Sequence, residues 1–89
     1  MKYTVHWKAT AQQRLAEIWL AAQDQQSVAD AADRIDMLLR NNPEGVGESR
    51  DGNARILLVP PLGADYRVHP ADQQVNVLAV WKFGPPAQP

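Results

Sequence analysis

The sequence predicts an α+β fold of order β-α-α-β-β-β, with a helical hairpin packed on a mostly antiparallel sheet. Three observations carry this expectation. Two long stretches in the first half place apolar residues at helical spacing, three short runs in the second half are β-type, and segments bearing proline or glycine separate them. With 89 residues there is material for one core, which at this size depends on close packing or on a bound partner. Residues 1–83 are therefore expected to form one soluble domain, and the proline-rich residues 84–89 a disordered tail.

The first element is a strand over residues 3–7, because Tyr3, Val5 and Trp7 alternate with Thr4 and His6. A helix over residues 10–22 follows. Its apolar stripe is Ala11, Leu15, Ile18, Trp19 and Ala22, and Thr10 with Gln13 has the form of a capping box. Residues 23–26 read as a short connection. A second helix begins at Ser27, with Asp30 three positions on as a weaker cap. It carries Val28, Ala31, Ala32, Ile35, Leu38 and Leu39 on one stripe and is ended by Pro43. So short a connection packs the two helices antiparallel. Residues 44–53 are polar, hold three glycines and read as a loop. The β-type runs are residues 55–59, 65–69 and 75–81, with turns at 60–63 and 70–73. The last run is apolar at nearly every position, which predicts a central strand covered on both faces.

Composition narrows the function. No stretch approaches the roughly 18 uninterrupted apolar residues of a membrane span, and the N-terminus lacks the form of a signal peptide, so a cytoplasmic protein without a membrane partner is expected. The chain has no cysteine, which removes disulfides and thiolate zinc sites. His6 and His69 lack the spacing of a metal site, so neither a metal nor a cofactor is expected. Net charge is −1, whereas proteins that bind polyanions nonspecifically usually carry a basic excess. Any contact with nucleic acid must come from a local cluster.

Several residues recur in an order that carries a resemblance. These are Trp7; Ala11, Leu15 and the Ile18-Trp19 pair; Ala32, Ile35 and Leu39; Pro43; and the Gly47-Glu48-Ser49 loop. Arg55 with Leu57, Pro61-Leu62, Tyr66-Arg67-Val68, and Val75, Val77 and Val80 complete the set. Over residues 3–81 the chain resembles the RelE/ParE toxin superfamily. The resemblance implies the toxin of a type II toxin–antitoxin system, a growth inhibitor of the kind tied to plasmid stabilisation. It implies a cognate antitoxin, small and acidic, that wraps the toxin in a hetero-oligomer. It also implies one of two targets, since ParE-like members poison DNA gyrase and RelE-like members cut messenger RNA inside the ribosome.

Metal-free RNA cleavage needs a base for the 2′-hydroxyl, cations for the crowded phosphate and an acid for the leaving oxygen. RelE-like toxins place such groups on the concave face of the sheet and on a short C-terminal segment. By that correspondence Arg67, after Tyr66, stands where RelE-like members keep a phosphate-binding arginine, a role that suits guanidinium. The other reading is an ordinary strand arginine paired with Asp65 or Glu48. Arg55 stands where relatives often carry a basic residue, and alternation sets it with Leu57 and Val59, away from Ile56 and Leu58. Its other reading is a solvated edge arginine. Glu48 matches a loop where some nucleolytic members hold a general base, and is otherwise a solvent-exposed carboxylate. Lys82 supplies a further positive charge.

Trp7 and Trp19 read as core, His6 and His69 as surface or structural histidines, and Trp81 ends the last strand beside the expected active surface. After Trp81 comes Lys82-Phe83-Gly84, without the histidine or tyrosine that RelE-like nucleases typically place there. Phe83 cannot transfer a proton. This favours a ParE-like gyrase inhibitor acting by contact. The alternatives are an mRNA interferase using Arg67, Arg55, Lys82 and Glu48, and a degenerate relative that only binds the antitoxin.

Overall fold

The computed structural model describes residues 2–83, so the expected tail at 84–89 lies outside the described residues. Its elements are β1 (Thr4–Trp7), α1 (Ala9–Ala21), α2 (Gln25–Asn41), β2 (Glu48–Ser49), β3 (Ala54–Val59), β4 (Leu62–His69) and β5 (Gln74–Lys82). A short 3₁₀ turn, Pro70–Asp72, joins β4 to β5. The strands form one sheet of order β1-β5-β4-β3-β2. β1 runs parallel to β5, and every other pairing is antiparallel.

Alternation along the strands puts Leu57, Leu62, Ala64, Tyr66, Val68, Val75, Val77 and Val80 on one side of the sheet. There they meet Ala11 and Ile18 of α1 and Val28, Ala31, Ile35 and Leu39 of α2. Ile35 and Leu39 are 0% exposed, and each such side chain contributes about 2 kcal/mol of hydrophobic stabilisation. Among the described residues no polar or charged side chain is buried in this layer. The helices cover one face only. The opposite face is open, with Thr4, His6, Glu48, Leu58, Gln74 and Ala79 all exposed.

This corrects the expectation for the last strand. β5 is an interior strand, between β1 and β4, but only its helix-side residues are fully buried. A register shift moves its pairing from Asp65↔Ala79 to Tyr66↔Val77, so β5 carries one extra residue there. Such a bulge returns Val80 to the core side although it lies three positions from Val77.

The helix starts also differ from expectation. α1 begins at Ala9 with Lys8 at its N-cap and no side-chain cap, so Thr10 lies inside the first turn and its capping box does not form. Gln12 instead donates from Nε2 to the Trp7 carbonyl at 2.9 Å. α2 begins two residues before Ser27. Asp24 is its cap and accepts from the Ser27 N–H at 3.1 Å and the Ser27 hydroxyl at 2.6 Å. Asp30 accepts from Gln26 rather than capping. The expected loop at 44–53 contains the two-residue strand β2, which pairs Glu48 with Ile56 and Ser49 with Arg55. β4 starts at Leu62, leaving a tight Pro60-Pro61 turn with a cis peptide.

Candidate functional site

Cross-strand partners point to the same side of a sheet, so the register sorts the candidate residues by face. Arg67 pairs with Ala54 on one side and Asn76 on the other, and Asn76 pairs with His6. His6, Asn76 and Arg67 therefore form one row across the open face. Asp65 lies two positions before Arg67 on the same face. Its carboxylate accepts a hydrogen bond from Arg67 Nη1 and forms an ion pair with it. Arg67 Nη1 also donates to the Tyr66 carbonyl at 3.3 Å. The two charged side chains are 31% and 28% exposed, which leaves both within reach of solvent and of a ligand.

Arg55 lies on the other side of the sheet. It pairs with Tyr66, and both point toward the helices. Nε and Nη2 of Arg55 each donate to the Val46 carbonyl at 3.1 Å, and Nη2 also reaches the Gly47 carbonyl at 3.3 Å. The Tyr66 hydroxyl lies 2.8 Å from the Pro43 carbonyl and 2.9 Å from that of Val46, and donates to them. Burial raises the Tyr66 phenol, with Arg55 pulling the other way, and the phenol stays a proton donor. Together Arg55 and Tyr66 fasten the segment after α2 to the sheet. Gly47 makes the fit possible. At φ +72° it sits where an added Cβ would lie 2.6 Å from the Ile56 carbonyl oxygen.

Lys82 pairs with Leu62 at the far end of β5, so it falls on the helix side, four pairs along β4 from Tyr66. Glu48 is on the open face of the edge strand β2, where its carboxylate accepts from Arg50 at 2.8 Å. The four sequence candidates thus occupy separate places. Arg67 and Glu48 share a face, Arg55 and Lys82 share the other, and each of Arg67, Arg55 and Glu48 is already engaged within the chain. Trp81 is half-buried over Gly63, where an added Cβ would meet its indole ring at 2.4 Å.

A second surface lies between the helices. Trp7, Leu15, Trp19 and Ala32 line a groove of about 540 Å³, with Asp33 and Asp36 at its edge. Trp19 is 40% exposed, so it forms a groove wall rather than the core position expected for it. Trp7 is half-buried. Its indole N–H donates to Asp36 at 3.1 Å, and Arg40 Nε donates to the other oxygen of that carboxylate at 2.6 Å. This chain of contacts ties β1 to α2. At the start of β1 the Tyr3 hydroxyl donates to Glu44 at 3.1 Å, and its pKa is raised by burial first and by that carboxylate second. Among the described residues no group of three or more His, Cys, Asp or Glu side chains is arranged to hold a metal ion. No helix there is long and apolar enough to cross a membrane.

Comparison with known proteins decides what this architecture is. A chain of the toxin–antitoxin complex RelBE2 of Mycobacterium tuberculosis matches with a TM-score of 0.74 at 21% identity, over 92% of this chain and 99% of that one. The chain has the RelE/ParE toxin fold. A chain of the chromosomal ParDE system of P. aeruginosa matches this fold with a TM-score of 0.72 at 18% identity, over 93% of this chain and 98% of that one. The isolated E. coli RelE toxin matches with a TM-score of 0.61 at 13% identity, over 93% and 86%. No protein-family model and no curated protein matches the chain.

Nothing in the sequence groups His6 and Asn76 with Arg67. That grouping rests on cross-strand register, and no local pattern in either strand encodes it. The RelE/ParE-type sheet brings residues 6, 67 and 76 together through a parallel β1–β5 contact made across most of the chain length.

Proposed function

We propose that the chain is the toxin of a type II toxin–antitoxin pair, and that it stops growth by contact with its target rather than by cutting RNA. A ParE-like target, DNA gyrase, is preferred. One observation carries the choice: the cations and the carboxylate needed for phosphodiester cleavage do not converge. Arg55 is spent on loop carbonyls on the helix side, Arg67 is paired with Asp65, and Glu48 is paired with Arg50. General acid–base catalysis needs its groups within hydrogen-bond reach of one reacting centre. The absence of a histidine or tyrosine just after Trp81 points the same way. The fold likeness to both ParE- and RelE-type systems supports the broader reading, a toxin; that it acts in the cytoplasm, as a domain of residues 1–83, is part of the same proposal.

The partner implied by this reading is a cognate antitoxin. Apolar groove walls with Trp7, Leu15, Trp19 and Ala32 suit the apolar stripe of an amphipathic helix. With a net charge of −1 on this chain, apolar anchors rather than bulk electrostatics would carry the contact. The test is a supercoiling assay with purified gyrase. The account expects inhibition by the wild-type chain and its relief by antitoxin. Unaffected supercoiling at high excess, by a chain that still arrests growth in cells, would overturn it.

A further inference from the structure

The groove between α1 and α2 has a charge as well as a shape. Its walls are apolar at Trp7, Leu15, Trp19 and Ala32. Among the described residues, the charged side chains that line it are two carboxylates, Asp33 and Asp36, and no lysine or arginine accompanies them. The two carboxylates are in different states. One oxygen of Asp36 accepts from the Trp7 indole N–H at 3.1 Å and the other from Arg40 Nε at 2.6 Å, so its charge is matched inside the chain. Asp33 is exposed and, among the described residues, has neither a hydrogen bond nor an ion pair. Arg34 is its neighbour in sequence but does not line the groove. An apolar trough with one unmatched negative charge on its rim is complementary to a helix that has an apolar stripe and a cation beside it.

We propose that Asp33 selects the helix that fills this groove, and that this helix carries a lysine or arginine next to its apolar stripe. The inference rests on the groove being the seat of the proposed antitoxin, and adds to that reading the charge of the segment that docks. It runs against the acidic partner that the resemblance implies. Whatever the net charge of the partner, the stretch lying against Asp33 is basic. Apolar contact alone accepts many amphipathic helices, whereas a charge on the rim tells them apart. A glutamate set against Asp33 would meet repulsion beside low-dielectric walls of tryptophan and aliphatic side chains. A lysine or arginine there can lay its stem along those walls and bring its head to a carboxylate with free lone pairs.

The test is a selection. A phage-displayed library of helical peptides, with a fixed leucine stripe and randomised flanking positions, is panned against the immobilised full chain as wild type and as Asp33→Lys. Recovered peptides are then synthesised and titrated into the isotope-labelled full chain. Wild type should recover peptides with lysine or arginine at one flank, and these should bind saturably and shift the Trp7 and Trp19 indole N–H signals. Exchanging that cation for glutamate should weaken binding roughly fivefold or more at low salt, because an exposed attraction becomes a repulsion. The difference should shrink at about 0.5 M salt, where charges are screened within a few ångströms. Asp33→Lys should recover an acidic residue at the same flank, and Asp33→Asn should bind both peptides alike. Asp30 accepts from Gln26 and does not line the groove, so Asp30→Asn should keep the wild-type preference. The proposal fails if no helical peptide is recovered, if those recovered lack a basic flank or map away from the groove, or if Asp33→Asn keeps the preference. The selection contains no gyrase and the supercoiling assay contains no library peptide, so failure of the toxin reading and failure of this selectivity are told apart.

Discussion

Tyr66 and Gly47 show how single residues hold the segment between α2 and β3 against the sheet. The Tyr66 hydroxyl donates to the Pro43 carbonyl in a buried bond and to the Val46 carbonyl in a part-buried one. Replacing it with phenylalanine leaves the Pro43 carbonyl unmatched and should cost about 1–3 kcal/mol, read as a lower urea midpoint with an unchanged slope. Gly47→Ala brings two faults, a side chain at positive φ and a Cβ against the Ile56 carbonyl, and should also cost about 1–3 kcal/mol. Arg55 works at the same spot. Alternation in the sequence correctly set it with Leu57 and Val59, away from Ile56 and Leu58. What the sequence could not show is that this direction leads to the carbonyls of residues 46 and 47, because the path of a polar, glycine-bearing loop has no period to read. Arg67 was legible as a strand arginine with Asp65 as a possible partner, and that pair is present. Its neighbours Asn76 and His6 lie on other strands and were not legible.

Among the elements, the long periodic ones were the readable ones. Both helices and all three β-type runs follow from apolar spacing, with ends displaced by at most three residues. The two-residue β2 escaped because Glu48-Ser49 carries no alternation, and only pairing with β3 makes it a strand. The helix starts were misplaced for a physical reason. Several polar residues in succession can serve as caps, and the choice falls to the one whose carboxylate meets a free N–H, here Asp24 rather than Ser27. That cap gives a pH-dependent prediction. The Ser27 hydroxyl, and then its N–H, hold the Asp24 carboxyl below its ordinary value of 3.8. A depressed folded value means that the cap contributes fully above the ordinary aspartate range and is lost as pH falls through the folded one. Asp24→Asn keeps an acceptor without the charge. Urea melts at neutral pH and at about pH 3 should therefore show wild type losing more stability on acidification than Asp24→Asn does. Equal losses would remove Asp24 from the acid response.

At the scale of the whole molecule, the sheet separates two surfaces. The helix side buries the core and leaves an apolar groove between α1 and α2, while the open side presents Arg67 in its pair with Asp65. Ala32→Glu adds a carboxylate to the groove wall beside Asp33 and Asp36. It should weaken co-purification with the proposed antitoxin at least tenfold, as expected for a charge buried without a partner, while leaving the helical circular dichroism unchanged. The fold class was legible because it rests on element order and apolar spacing. The target was not, because it depends on which face each charged side chain takes and on whether those side chains meet. The central claim is that they do not meet in a cleaving arrangement. Its most direct test is to induce the chain without the proposed antitoxin and map RNA 5′ ends on translated messages, for wild type and for Arg67→Ala. The account predicts growth arrest with no new ends in the ribosomal A site. New A-site ends that appear with wild type and vanish with Arg67→Ala would contradict it.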